Sequence, residues 1–188
     1  HYAKYGFKDC YIALGYKGHI IKKYFKKNNY GWNINLIDTG QKTMTGGRLK
    51  RVSDYLDYQE SFCFTYGDGL SNIDITKSIE FHKQHKKLAT ITAVQPPGRY
   101  GAIDCEGIFV KGFMEKPSNG GMVNGGFFVL EPQVIDFIEG DNTIWEESPL
   151  KSLAASNEMI AFTHDDFWQP MDTLREKQYL EGLWESNK

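Results

Sequence analysis

Two aspartates occupy corresponding places in the sequence, each close behind a run of aromatic residues. Asp68 follows the uncharged run 62–66 and lies between two glycines, and Asp172 follows the run 167–171. Such runs are typical of buried strands, and a carboxylate at the end of a strand lies where open α/β sheets bind their ligands. Two carboxylates brought to one crevice suit a hard divalent cation such as Mg²⁺. The pair therefore predicts a metal site and, with it, phosphate chemistry.

Each aspartate also has a structural explanation when it is considered alone. The sequence Gly67-Asp68-Gly69 is good turn chemistry, and Asp172 stands beside the start of the last predicted helix, which it could cap. The matched placement of the two carboxylates favours the metal site over two unrelated structural roles.

A second candidate is the segment 38–48, which is dense in glycine, hydroxyl groups and cations and lies between a predicted strand and a predicted helix. Backbone N–H groups at the start of that helix could hold an anion or the edge of a base, and Arg48 could add a bidentate contact. A surface loop before a glycine-initiated helix is the alternative, because the segment matches neither the P-loop nor the GxGxxG pattern.

Further polar residues lie beside points where the backbone can approach a ligand closely. In Glu115-Lys116-Pro117 the lysine could hold a phosphate while the carboxylate accepts a hydrogen bond from a sugar hydroxyl, and a surface ion pair is the alternative. Glycine also allows close approach in Asn124-Gly125-Gly126, for which a simple turn is the alternative. Tyr100-Gly101 is a third such point.

Composition limits the classes of partner. The chain has 188 residues, of which 40% are hydrophobic, and a formal net charge of -2. It is therefore long enough for one domain over residues 1–188, and it has no general attraction for nucleic acid or anionic membranes. No apolar stretch reaches the ~20 residues of a membrane span, and no signal peptide is recognisable. Three cysteines without CxxC spacing predict free thiols in a reducing cytoplasm.

Strand-like and helix-like segments alternate along the chain, which predicts an α/β fold with a largely parallel sheet. Two short strands are predicted between residues 100 and 114. The other strands are predicted at residues 9–14, 32–37, 62–66, 88–94, 127–130 and 159–162.

Several helix starts are recognisable from their capping residues. Asp74 is predicted to cap a helix that ends near His85, and Ser148 a short helix with proline in its first turn. Thr173 is predicted to cap the last helix through a capping box with a glutamate three residues on. His82 and His85 lie three apart among lysines, so both are predicted to face solvent.

Six strings of the sequence, taken together, resemble the nucleotidyltransferases that join a nucleoside triphosphate to a sugar 1-phosphate. Within that family, the resemblance is to members that use CTP and glucose 1-phosphate. The strings span nearly the whole chain in family order, and their combination is specific although each string alone is weak. They are DTGQKTMTGGRLKRV, FTYGDG, PPGRYGAID, EKP, NGGFFVL and FWQPMDTLREKQYLEGLWE.

The resemblance implies a role for each matching residue. Asp68 and Asp172 would hold Mg²⁺, and together with Lys116 they form the implied catalytic set. The implied nucleotide-binding residues are Thr43, Thr45, Gly46, Arg48 and Gly67. The implied sugar-phosphate-binding residues are Tyr100, Gly101, Glu115, Lys116, Asn124 and Gly125.

The resemblance also implies the fold and the cellular setting. The fold would be a Rossmann-like, mostly parallel sheet flanked by helices, of the nucleotide-diphospho-sugar transferase type. The reaction would convert CTP and α-D-glucose 1-phosphate to CDP-glucose and pyrophosphate, an early step towards deoxysugar and O-antigen precursors. The enzyme would be cytoplasmic and homo-oligomeric, with Mg²⁺ as its cofactor and with neither nucleic acid nor membrane as a partner.

The sequence departs from the family pattern in two places. The family's glycine-rich loop, GGxGTRL with a following lysine, is absent, although it should precede the strand at residues 9–14 and wrap the triphosphate. The connection at residues 29–32 is shorter than in the family. We therefore expect the sequence to be part of a longer chain, to which catalysis belongs.

Two other functions stay open on the residues alone. A metal-dependent glycosyltransferase would have a similar sheet, but such enzymes usually bring paired aspartates in one DxD-like step, whereas Asp68 and Asp172 lie far apart in the chain. A non-catalytic, sugar-nucleotide-binding relative would account for the loss of the glycine-rich loop.

Overall fold

Strands and helices are interspersed along the chain, as the sequence pattern predicts, although some strands follow one another without a helix between them. The computed structural model describes residues 1–96, 102–106, 108–114 and 121–186. Four of the predicted site residues lie outside these ranges: Tyr100, Gly101, Glu115 and Lys116.

Ten strands and five α-helices are present among the described residues, together with 3₁₀ helices at Tyr2–Tyr5 and Pro132–Phe137. The strands are β1 Asp9–Leu14, β2 Asn33–Asp38, β3 Phe62–Thr65, β4 Gly69–Ser71, β5 Ala89–Val94, β6 Ala102–Glu106, β7 Phe109–Met114, β8 Val123–Leu130, β9 Met159–His164 and β10 Trp168–Pro170. The α-helices are α1 Gly18–Lys27, α2 Thr45–Ser53, α3 Ile75–His85, α4 Ser148–Ala155 and α5 Leu174–Glu185. No helix in the described part of the chain is both long and apolar enough to span a bilayer.

The strands pair in both directions. β1 and β2 run parallel, with Asp9 opposite Asn33. β4 pairs with β10, and β6 with β7, in antiparallel ladders. The largest sheet has four strands in the order β3-β8-β5-β9. The predicted α/β class is therefore confirmed, with parallel and antiparallel pairing both present.

The chain divides into two compact units, which are described separately. Unit 1 comprises His1–Phe64, Asp74–Thr90 and Val129–Ile160, and unit 2 comprises Thr65–Ile73, Ile91–Phe128 and Ala161–Lys188. Each unit has its own buried apolar side chains, so each buries part of the hydrophobic surface that stabilises the fold. Those of unit 1 include Leu14, Leu49, Ile138, Trp145 and Leu153, and those of unit 2 include Ile73, Val94, Phe127 and Phe128. The single domain over residues 1–188 stays a prediction.

Two of the three predicted helix caps are confirmed. The side chain of Asp74 accepts a hydrogen bond from the backbone N–H of Lys77 over 3.0 Å, and Thr173 begins α5 with a complete capping box. The prediction for Ser148 is wrong, because Glu147 holds the cap position without a side-chain hydrogen bond and Ser148 is already the first residue of α4. The proline that follows then lies one position later than predicted.

The prediction that His82 faces solvent is also wrong. Its side chain is only 1% exposed. Nδ1 lies 2.8 Å from the hydroxyl of Thr90 and Nε2 lies 3.0 Å from Oε1 of Glu131, so the buried ring has a polar partner on each side. These partners offset the cost of removing the imidazole from water. His85, one turn later on α3, is exposed as predicted.

Candidate active site

A cavity of about 360 Å³ in unit 2 brings together four of the predicted site residues. They are Asp68, Asp172, Asn124 and Gly125. The cavity is also lined by Gly126 and by residues that the sequence did not single out, among them Tyr66, Pro96, Val123 and Trp168.

The two aspartates are held together by the short ladder between β4 and β10. Asp68 immediately precedes β4, and Asp172 lies two residues beyond the end of β10. Gly69 is paired with Pro170, and the N–H of Met171 donates to the carbonyl oxygen of Asp68 over 2.8 Å. Both carboxylates belong to exposed residues. The sequence predicted that they would share a crevice, and an antiparallel ladder is what joins their backbones.

Asp172 is not the cap of the last helix, which was its structural alternative. The hydroxyl of Thr173 accepts the hydrogen bond from the N–H of Glu176 over 3.2 Å, and this is the capping contact of α5. The backbone N–H of Asp172 donates to the carboxylate of Glu176 over 2.9 Å. This second contact fixes the backbone at Asp172, so α5 helps to position the carboxylate without using it as a cap.

The amide of Asn124 has a defined orientation at the cavity wall. The N–H of Gly126 donates to Oδ1 of Asn124 over 2.8 Å, and Nδ2 of Asn124 donates to the hydroxyl of Tyr66 over 3.2 Å. Because a backbone N–H can only donate, the oxygen of the amide must be the atom that faces Gly126. The second N–H of Nδ2 makes no hydrogen bond within the described residues, so it is available as a donor.

Trp168, the first residue of β10, is hydrogen-bonded to this wall. Its indole N–H donates to the carbonyl oxygen of Gly125 over 2.7 Å. The glycine itself is required by packing, because a Cβ at Gly125 would lie 2.9 Å from Cγ1 of Val94 and 3.1 Å from the carbonyl oxygen of Thr92. Gly126 has a φ of +77°, a left-handed conformation that favours glycine. The wall is thus a fixed surface.

Gly67, the predicted close-approach point for the nucleotide, lies in a different environment. A Cβ at this position would meet nothing within 4 Å among the described residues. Neither packing nor a left-handed backbone therefore requires glycine here. That is the condition under which a glycine makes room for a ligand, and the nucleotide contact stays a prediction.

The other predicted nucleotide-binding residues lie in unit 1, at the start of α2. The N–H groups of Gly46 and Gly47 both donate to the carbonyl oxygen of Thr143, over 3.0 and 3.2 Å, and that of Met44 donates to Asp141 over 2.8 Å. These N–H groups, which the sequence offered to an anion, are thus bonded to the segment 141–143.

Thr45 has a similar structural role. Its hydroxyl donates to Oε2 of Glu146 over 2.7 Å and accepts from the N–H of Trp145 over 2.9 Å. Thr43 is buried, with only 7% of its surface exposed. Nucleotide contacts by these threonines stay predictions.

Arg48 lies at the carboxyl ends of β1 and β2. Its Nη1 atom is 3.1 Å from the carbonyl oxygen of Leu14 and 2.7 Å from the hydroxyl of Thr39. In parallel sheets this end of the strands is the usual position for a ligand. Arg48 is the only charged residue of the predicted nucleotide-binding set, and its guanidinium group lies at such an edge.

The cysteines that the structure describes provide no alternative chemistry. Burial raises the pKa of the Cys63 thiol to about 11, and burial likewise raises the pKa of Cys10. A thiol with so high a pKa stays protonated at neutral pH and is a poor nucleophile.

The model of the Nucleotidyl transferase family matches residues 1–179. The chain belongs to this family. The resemblance and the enzyme class that the sequence predicted are thereby confirmed.

Two curated relatives extend the comparison. The chain is 50% identical over 210 residues to the glucose-1-phosphate cytidylyltransferase of Salmonella typhi, a match that covers 100% of this chain and 82% of the relative. It is 36% identical to a protein of Bacillus subtilis named probable glucose-1-phosphate cytidylyltransferase, covering 97% of this chain and 80% of the relative. The matched region of the Salmonella protein is longer than the 188 residues of this chain.

A solved structure supports the same fold. HddC from Yersinia pseudotuberculosis, complexed with GMP-PN, superposes with a TM-score of 0.73 at 22% identity, over 95% of this chain and 79% of that chain. At this level of identity the likeness concerns the fold alone.

Proposed function

We propose that this protein transfers a cytidylyl group from CTP to α-D-glucose 1-phosphate, giving CDP-glucose and pyrophosphate. The observation that carries the proposal is the convergence of Asp68, Asp172 and Asn124 on one cavity, in a chain that is half identical to a cytidylyltransferase over its whole length. We further propose that the reaction serves an early step towards deoxysugar and O-antigen precursors and takes place in the cytoplasm.

The donor set of the cavity fits Mg²⁺. In the described part of the chain, no cluster of three or more histidine, cysteine or acidic side chains could enclose a metal ion. Asp68 and Asp172 nevertheless line the same cavity, and Mg²⁺ is usually held by one or two carboxylates, substrate phosphates and water. Bound there, the ion would neutralise charge on the phosphates of the substrates.

The chemistry needs little from acid or base groups. An oxygen of the sugar phosphate attacks the α-phosphorus of CTP in line, a new P–O bond forms, and the bond to the β-phosphate breaks to release pyrophosphate. The nucleophile is already an anion, so no proton has to be removed. The side chains contribute by placing the two phosphates and by reducing their mutual repulsion.

The proposed binding roles follow from the resemblance and, for Arg48 and Asn124, are also supported by where these residues lie. Arg48 contacts the nucleotide phosphates, while Asn124 donates a hydrogen bond to the sugar phosphate. Lys116 neutralises the sugar phosphate. The nucleotide set is completed by Thr43, Thr45, Gly46 and Gly67, and the sugar-phosphate set by Tyr100, Gly101, Glu115 and Gly125.

The test of the reaction is a product assay on the full-length protein with a panel of substrates. CTP with glucose 1-phosphate should give CDP-glucose and an equal amount of pyrophosphate, faster than UTP, dTTP or GTP at equal concentration. Hydrolysis of nucleotide sugar without pyrophosphate release would favour the glycosyltransferase alternative. Binding of CDP-glucose without turnover would favour the non-catalytic relative.

Replacing Lys116 by alanine should weaken the binding of the sugar phosphate more than the binding of the nucleotide. The lysine lies in the Glu115-Lys116-Pro117 segment, and removing one cation from a phosphate should cost about tenfold or more in KM for glucose 1-phosphate. Steady-state kinetics with each substrate varied in turn would measure the effect, with Lys151→Ala on α4 as a control. A raised KM for CTP with an unchanged KM for the sugar phosphate would contradict the assigned role.

We also propose that the protein assembles into a homo-oligomer. Helix α5 leaves three large apolar side chains exposed: Leu174, Tyr179 and Trp184 are 69%, 52% and 85% exposed. Because these side chains are five residues apart, they lie on different sides of α5, and the proposal rests on the family resemblance together with this exposed apolar area. Light scattering after size exclusion should give a multiple of the chain mass, and a monomer mass at micromolar concentration would contradict assembly.

A further inference from the structure

The guanidinium group of Arg48 is held at Nη1 by two acceptors, the carbonyl oxygen of Leu14 and the hydroxyl of Thr39. Both contacts are made by Nη1, which donates to this pair of neighbouring oxygens. Thr39 is fully buried, and its hydroxyl donates to the same Leu14 oxygen over 2.8 Å. Its proton is therefore directed to β1, and its lone pair is left to accept from Arg48.

Gly15 lies against the Nη1–Nη2 end of the same group. A Cβ at Gly15 would be 2.4 Å from both Nη1 and Nη2 of Arg48 and 2.7 Å from Cζ. The φ of Gly15 is not in the left-handed region, so the backbone itself does not require glycine here. What requires it is the close approach of the guanidinium.

These contacts leave the Nη2 and Nε edge of the Arg48 guanidinium available to a ligand. Within the described part of the chain, Nη2 and Nε donate no hydrogen bond. Their N–H groups form the planar fork that matches two oxygens of a phosphate. The direction of that fork is set by the contacts of Nη1 together with the close packing of Gly15 against the group.

We propose that Gly15 and Thr39 are positioning residues that hold Arg48 in the orientation in which it binds the phosphates of the nucleotide. The inference rests on the proposed nucleotide contact of Arg48. Gly15 provides the space and Thr39 provides the acceptor, and neither touches the ligand.

Replacing Gly15 by alanine tests the space. The new methyl group meets the end of a flexible side chain, so the fold should persist while the guanidinium is displaced. We expect the Kd and the KM for CTP to rise about tenfold or more, since a charge-assisted hydrogen-bonded pair is lost, with an unchanged KM for glucose 1-phosphate. Gly140→Ala is the matched control, because a Cβ there meets nothing within 4 Å of the described residues.

Two substitutions at Thr39 test the acceptor. Thr39→Val keeps the shape but removes the hydroxyl, so it should raise the KM for CTP as Gly15→Ala does. Thr39→Ser keeps the hydroxyl and should restore the KM to within about twofold of wild type. Should Gly15→Ala fail to fold, the contrast between valine and serine decides. Equal effects of Val and Ser on the KM for CTP would overturn the role of the hydroxyl.

Arg48→Ala separates this inference from the proposed function. If Arg48→Ala leaves the Kd for CTP unchanged, the nucleotide contact of Arg48 is wrong. If Arg48→Ala weakens CTP binding while Gly15→Ala and Thr39→Val do not, the contact stands and the positioning inference is overturned. The double variant Gly15→Ala/Arg48→Ala should bind CTP as tightly as Arg48→Ala alone. A residue that acts only through Arg48 has no further effect once the arginine is absent.

Discussion

Replacing Asp68 or Asp172 by asparagine should abolish most of the turnover while the fold persists. Each change keeps the size of the side chain and removes one negative charge from the cavity that both residues line. Losing one carboxylate from a Mg²⁺ site should cost ~3 kcal/mol or more of transition-state stabilisation, roughly a hundredfold or more in rate. The measurement is pyrophosphate release by the full-length protein at saturating Mg²⁺.

The control for these two variants is Asp165→Asn. Asp165 is an exposed aspartate of the same unit that does not line the cavity, so the same loss of charge there should leave the rate close to wild type. Unfolding temperatures of all three variants should be similar, since neither cavity aspartate caps a helix. Rates close to wild type in both Asp68→Asn and Asp172→Asn would remove the metal site from the proposal.

The carboxylate pair could be predicted because its signals are local. Each aspartate follows an aromatic run, and one is flanked by glycines, so strand and turn were readable within a few residues. The ladder that joins the two could not be predicted, because β4 and β10 have only three residues each and three residues show no period. The missed lining residues Tyr66 and Trp168 stand in the same runs as the aspartates, and adjacency was the signal that could have identified them.

The secondary structure followed from the sequence where the pattern was long. The predicted strand at residues 9–14 has the bounds of β1, and α3 begins at the predicted cap. His82 was assigned to solvent because its neighbours along the chain are lysines. Its burial depends on Thr90 and Glu131, which are brought to it by the tertiary fold. Such contacts leave no mark on the local pattern.

The glycines of α2 show the same limit more sharply. At the start of α2, the local sequence offers the N–H groups of Gly46 and Gly47 to an anion. These N–H groups bond to Thr143, about a hundred residues away, and the missing side chains make room for the backbone of the segment 141–145. A glycine in a loop-to-helix junction therefore has two physical explanations, and the packing one depends on a tertiary contact that the local sequence does not show. The nucleotide contact of Gly46 stays a prediction.

Replacing Gly47 by alanine should therefore destabilise the protein. The new Cβ would lie 2.6 Å from both Cα and the carbonyl oxygen of Asp141, which are backbone atoms. That backbone is held by the N–H of Met44 over 2.8 Å, and the Asp141 carboxylate is bound by Arg51, whose hydrogen bond lowers the pKa of Asp141. Overpacking of this kind costs about 3 kcal/mol, whereas the helix propensity of alanine returns only about 1 kcal/mol.

The net loss of about 2 kcal/mol corresponds to a fall in the unfolding temperature of roughly 4–8 °C for a chain of this size. Gly182→Ala on α5 is the matched control, because a Cβ there meets nothing within 4 Å of the described residues. It gains helix propensity without a clash, so the same substitution should raise the unfolding temperature. Differential scanning calorimetry should therefore show shifts of opposite sign in the unfolding temperatures of the two variants. An unfolding temperature of Gly47→Ala at or above wild type would mean that the segment 141–143 can move away, and that α2, which carries Arg48, is not anchored by it.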